Sequence, residues 1–189
     1  MNFKDVPIPA GMRMLPHDQR SYPIPYLVVV DDTGKPHFTI SDERKRARII
    51  LEDRCSICGR KLLRGRWLVG GPLAAFHPHG AYLDPPMHDE CAHYALKVCP
   101  YLAAPRYSGE VGDKTMSSQE RAKHVVIKDK SANPERPDVF VAVFAIGTVL
   151  IRDDFGVIKY IKPKEVRRYE WWRHGEQVPE PPNWKGEAT

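Results

Sequence analysis

The chain has 189 residues, 42% of them hydrophobic and 28% charged, which suits one soluble globular domain with appendages and a core of its own. Its 29 Lys and Arg against 24 Asp and Glu leave a net charge of +5, too mild a surplus by itself to mark a nucleic-acid binder. No apolar run reaches the length of a membrane span and Met1-Asn2-Phe3-Lys4-Asp5 opens no signal peptide, so the expectation is a cytoplasmic protein whose cysteines hold metal rather than disulfides.

Residues 1–25 carry Pro7, Pro9, Pro16, Pro23 and Pro25 and read as an extended, proline-rich surface arm. Residues 26–105 follow as a candidate zinc-binding module. Tyr26 to Val30 is a β-rich run, Asp31-Asp32-Thr33-Gly34-Lys35 is turn chemistry, and His37 to Ile40 can return as the partner strand. Ser41 is placed to cap a helix that has Asp42 and Glu43 in its first turn. Ala47, Ile50 and Leu51 lie at helical spacing there, while Arg44, Lys45 and Arg48 face water.

That helix delivers the chain to Cys55. Beyond it, Trp67-Leu68-Val69 reads as a short strand ending at Gly70-Gly71-Pro72, and Phe76 to Gly80 as a loop containing His77 and His79. Two histidines near a cysteine turn invite a second-metal or catalytic role, but no carboxylate sits at a partnering spacing to either. Asp84 and Pro85-Pro86 then set up a helix start, with Asp89 and Glu90 in the first turn and a stop at Pro100.

Residues 106–138 form a polar connecting segment, long for a connection, with a short helix expected over Ser118 to Lys123 and a strand over His124 to Lys128. Residues 139–175 read as a β-hairpin plus a helix packed on the module. Val139 to Ile151 is the most hydrophobic run, rich in β-branched residues, and Gly147 suggests a bulge or kink in it. Asp153-Asp154-Phe155-Gly156 turns it back into Val157 to Ile161. Pro163 is expected to begin a last helix, with Val166, Tyr169 and Trp172 on one face and Gly175 at its end. Residues 176–189 read as a loose tail, with Trp184 as an anchor. The fold class expected is α+β.

All four cysteines fall between residues 55 and 99, in Cys55-Ser56-Ile57-Cys58-Gly59, His88-Asp89-Glu90-Cys91 and Cys99-Pro100. On a helix His88 and Cys91 would be about 60° apart round the axis and roughly 4.5 Å apart along it, so both can face one ion. Cys91 and Cys99 would be about 12 Å apart along the same axis, too far to share a zinc. His93 points away from Cys91. Cys55, Cys58, His88 and Cys91 thus make a tetrahedral Cys3His set suited to one structural zinc. An iron–sulfur cluster on the four cysteines and a redox Cys-x-x-Cys pair are the alternatives; Cys99 otherwise reads as core.

A Cys-x-x-Cys-Gly turn, a hairpin, and then a helix whose first turn supplies the last two ligands resembles a treble-clef zinc finger. More narrowly, Tyr22-Pro23-Ile24-Pro25-Tyr26, Cys55 to Gly59, Gly71-Pro72, Pro85-Pro86-Met87-His88, Cys91-Ala92, Cys99-Pro100-Tyr101-Leu102 and Trp171-Trp172 resemble an uncharacterised family of bacteriophage and bacterial, often prophage, proteins. The likeness is dense over residues 22–105 and thin after them. It implies the metal site and a phage-type origin, hence the cytoplasm of a bacterial host, and no activity.

Three functional readings follow. A protein-interaction role, a phage product acting on a host protein, draws on the proline- and tyrosine-rich arm and the tryptophan-rich C-terminal part. A nucleic-acid-binding role draws on the basic residues that bracket the metal site, Arg44, Lys45 and Arg48 before it and Lys61, Arg64 and Arg66 after it, as one continuous positive face. An enzyme is the third. A treble-clef nuclease needs a histidine base near a metal-binding Asn or His on its helix, and a zinc deaminase needs His-x-Glu ahead of Pro-Cys-x-x-Cys; neither pattern is present. Four protein ligands would also leave no position open for water. No small-molecule cofactor is evident.

Overall fold

The computed structural model describes residues 5–105, 119, 122–123 and 136–182. The helix and strand expected over 118–128 and the anchor Trp184 fall wholly or largely outside them. The described residues form an α+β structure with two antiparallel sheets. A ribbon of β1 (Val28–Val30) and β2 (Pro36–Ser41) precedes helix α1 (Glu43–Leu51). Strand β3 (Gly65–Gly70), the short helix α2 (Pro72–Phe76), α3 (Asp89–Val98) and α4 (Pro100–Ala103) follow, then β4 (Phe140–Arg152), β5 (Ile158–Arg173) and β6 (Glu176–Val178). The larger sheet runs β3-β4-β5-β6.

The expected β4–β5 hairpin forms, with Phe140 opposite Trp172 and Arg152 opposite Ile158. The helix expected from Pro163 does not; residues 158–173 are one long strand. Ile161 gives its N–H to Tyr82 and accepts from Tyr82 N–H, both at 2.9 Å, so its backbone polar groups point away from β4. The nitrogen two residues on, in Pro163, points the same way, and its missing N–H costs no ladder bond. Gly175 does not stop a helix either. With His174 at φ 50° and Gly175 at φ 82°, the pair is a two-residue turn of the primed kind that joins β5 to β6, Arg173 lying opposite Glu176. Gly147 takes φ 74° where β4 parts from β3, its N–H bonding Arg64 O at 3.1 Å.

Other boundaries move for local reasons. Ser41 ends β2, and Asp42 is the cap of α1, its carboxylate accepting from the backbone N–H of Arg44 and Lys45. The core face of α1 carries Ile49 and, unexpectedly, Arg46, while Leu51 is exposed. Arg46 is buried because its guanidinium finds backbone acceptors: Leu83 O, Ile158 O and Lys159 O at 2.7–3.0 Å. Helix α3 begins at Asp89 rather than beside Pro85-Pro86, because Met87 instead pairs with Trp67, each N–H bonding the other's carbonyl at 2.9 Å.

The main core gathers Cys55, Cys58 and Cys91 with Trp67, Leu96, Phe140, Ala142 and Trp172, and the arm lends Met12 to it. Phe144 is only half-buried at its margin, its ring 5.3 Å from Trp67. The other sheet face packs Leu68, Val141, Val143, Ile161 and Trp171 against α2 and Tyr82.

Candidate metal centre

Between α1 and β3 the chain folds into a tight knuckle. Cys55 N–H bonds Arg60 O at 2.8 Å, Gly59 N–H bonds Cys55 O at 2.9 Å, and Arg54 and Lys61 form an antiparallel bridge. Gly59 is required here, since it sits at φ 72° and a Cβ would stand 2.7 Å from the Tyr26 ring. The knuckle is tied to the segment before α3 by Ser56, whose N–H bonds Pro86 O and whose hydroxyl bonds Pro85 O at 3.0 Å. Arg60 closes a second tie to Glu90 at 2.8 Å.

These ties bring Cys55, Cys58, His88 and Cys91 together, with one ligand atom of each lying within 4.8 Å of all the others. The three cysteines are buried and His88 is half-buried. His88 is the N-cap residue of α3 rather than part of its first turn, so His88 and Cys91 approach the site from the helix mouth. Its Nδ1 stands 3.3 Å from Cys58 Sγ, and its Nε2 is 3.0 Å from Lys61 O. With Nε2–H donating to that carbonyl, the lone pair is on Nδ1, facing the sulfurs. Around a tetrahedral ion with Zn–S of about 2.3 Å and Zn–N of about 2.0 Å, sulfur and nitrogen would be roughly 3.5 Å apart, close to this spacing. The residues fit one metal ion.

Electrostatics agree with that fit. Hydrogen bonds from Cys55 and then Cys91 hold the Cys58 thiol far below its ordinary range, while the same contacts push Cys55 and Cys91 up. Sulfurs this close repel one another as thiolates, and a cation among them favours the deprotonated forms.

Cys99 lies outside this group, half-buried at the end of α3, with its thiol pushed up by burial. His77 and His79 lie in an exposed loop, their rings 5.6 Å apart, with His79 N–H bonding His77 Nδ1. Among the described residues no further group of three or more His, Cys, Asp or Glu side chains is placed to hold an ion.

The basic residues do not form one free positive face. Arg66 is buried and forked onto Asp53 at 2.5 and 3.3 Å. Arg44 pairs with Asp42 at 3.2 Å and Arg48 with Glu52 at 2.6 Å. Lys61 is exposed and donates to Glu52 O, and Arg64 is exposed. Lys45 is half-buried, its ammonium 4.9 Å from the Tyr26 ring centroid and 3.4 Å from Val28 O.

Two features have no periodic signature in the sequence. A groove of about 470 Å3 runs between β1 and α1, lined by Tyr26, Val29, Val30, Lys45, Ile49 and their charged neighbours. On the far side of α3 from the metal ligands, His93 Nε2 meets Glu170 on β5 at 2.8 Å, between the rings of Trp67 and Trp172. No helix among the described residues is long and apolar enough to cross a membrane. Comparison of the chain with protein-family models, with curated proteins and with solved structures gives no match.

Proposed function

We propose that the chain is a zinc-stabilised, non-enzymatic interaction protein of treble-clef-like design that acts by binding another protein. The family resemblance makes that partner a protein of a bacterial host and the chain a phage or prophage product of the host cytoplasm. Zinc is the metal of choice because a closed set of three thiolates and one imidazole suits it and leaves no coordination position for substrate. The observation that carries the binding role is the groove between β1 and α1, which sets partly exposed Tyr26 and Val30 beside a rim of mixed charge. An aromatic and apolar floor inside a polar rim is the anatomy of a protein-binding site.

A nucleic-acid role draws less support. Arg66 is spent on Asp53, and Arg44 and Arg48 already face carboxylates, so fewer cations remain to neutralise phosphates. The test is affinity capture from bacterial lysate, with and without nuclease, followed by cross-linking. A discrete protein cross-linked to residues 26–54 is the expected result. Recovery of nucleic acid alone, with binding to random duplex that falls steeply between about 50 and 200 mM salt, would replace this reading.

A further inference from the structure

Building on the protein-binding reading, we propose that the β1–α1 groove takes an acidic peptide segment of the partner, one carboxylate seated against Lys45 and an adjoining apolar side chain on Tyr26 and Val30. The groove is lined by four cations, Arg44, Lys45, Arg48 and Arg54, and two carboxylates, Asp42 and Glu52. Both carboxylates are already engaged by arginines: Asp42 by Arg44 at 3.2 Å, and Glu52 by Arg48 and Arg54 at 2.6 Å each. Lys45 is the remaining cation, and among the described residues it has no ion pair. Its ammonium is half-buried, makes a long bond to Val28 O and faces the Tyr26 ring, and it feels the Asp42 carboxylate without a direct ion pair to it. Burial draws its pKa down, the mark of a charge that has lost water without a full replacement.

An arriving carboxylate supplies a direct ion pair in a partly dry site, where a charge-assisted bond is strong. The floor selects for more than charge. Val29 and Ile49 are buried at its base, and Tyr26 and Val30 are part-exposed along it, so an apolar side chain next to the carboxylate finds a complementary surface. The volume suits a few residues of peptide. A polynucleotide fits less well, because successive phosphates would run past the carboxylates of Asp42 and Glu52.

The test uses the full, metal-loaded chain and a library of random peptides displayed on filamentous phage. Selection on the wild-type protein should enrich peptides in which Asp or Glu adjoins Leu, Ile or Phe. The enriched peptide, synthesised and titrated, should bind about tenfold or more weakly to Lys45→Glu, recover with Lys45→Arg, and lose affinity on Val30→Asp at the groove floor. Metal content and circular dichroism of each variant establish that it is folded. Enriched peptides that are neutral or basic, or that bind folded Lys45→Glu and Val30→Asp as well as wild type, overturn the groove assignment and leave the protein-binding reading standing. A selection that enriches nothing, from a protein that binds duplex DNA at low salt, removes both.

Discussion

At the scale of single residues, the metal centre is defined by what holds its ligands as much as by the ligands themselves. Lys61 O fixes the tautomer of His88, and Ser56 pins the knuckle to Pro85 and Pro86. Elemental analysis should therefore give about one zinc per chain, lost in Cys58→Ala and kept in Cys99→Ala. A coloured, iron-containing protein bleached by Cys99→Ala would contradict this set. A second residue-scale prediction concerns acid. The Thr33 hydroxyl, and then buried His37 at 2.8 Å, hold the Asp31 carboxyl well below the usual carboxylate range. A group whose folded pKa is depressed contributes stability above its unfolded value, near pH 4, and loses it as pH falls from there toward the folded value. Asp31→Asn should flatten the thermal midpoint below about pH 4 relative to wild type, and parallel curves would show that the pair is inert.

At the scale of elements, what was legible in the sequence is what is local. The members of each ligand pair are three residues apart, so spacing alone found all four, and the β4–β5 turn announced itself through Asp153 and Gly156. Strand β5 was misread as a helix beyond Pro163 because its pairing is with β4 and its register is broken. Phe144 faces Arg168 but Ala145 faces Val166, so Arg167 is an extra residue. The bulge puts Val166 and Tyr169 on one face although they are three apart, which imitates helical spacing. Beyond it Tyr169 and Trp171 pack against Phe76 while Trp172 enters the opposite core. The His93–Glu170 contact is invisible because its partners are 77 residues apart, and the groove, though local, because it depends on how β1 packs beside α1 and leaves no spacing signature. The turn from β5 to β6 tests the corrected assignment. Gly175→Val should cost about 1–2 kcal/mol in denaturant unfolding, because φ 82° is strained for a β-branched residue, whereas His174→Asn should be neutral or better. A loss below about 0.5 kcal/mol would show that residue 175 does not hold a positive φ.

At the scale of the whole molecule, the metal centre and the sheet are not separable modules. Cys55, Cys58 and Cys91 share one core with Trp67, Phe140 and Trp172, so an ion bound among them would support the packing of β3, β4 and β5 directly. Arg46 ties α1 to Leu83 and to the start of β5, and His93 ties α3 to Glu170 near its end. Each tie bridges the metal-bearing half to the hairpin. Because Arg46 is buried with its guanidinium bonded to three carbonyls, Arg46→Ala should cost about 3–5 kcal/mol although it touches neither metal nor groove. The same reasoning fixes how the protein should come apart. Chelation removes the cation that lets three buried thiolates coexist, and the stabilisation lost belongs to folding as a whole. Tryptophan fluorescence, which reports Trp67, Trp171 and Trp172 in both cores, and far-ultraviolet circular dichroism should then change together, at one chelator concentration and with one time course. Proteolysis during that transition should cut within β4 and β5 as early as within residues 53–91. If the hairpin instead stayed protected while the cysteine knuckle was digested, the ion would be a local clip, and the shared core would be energetically divided at Trp67.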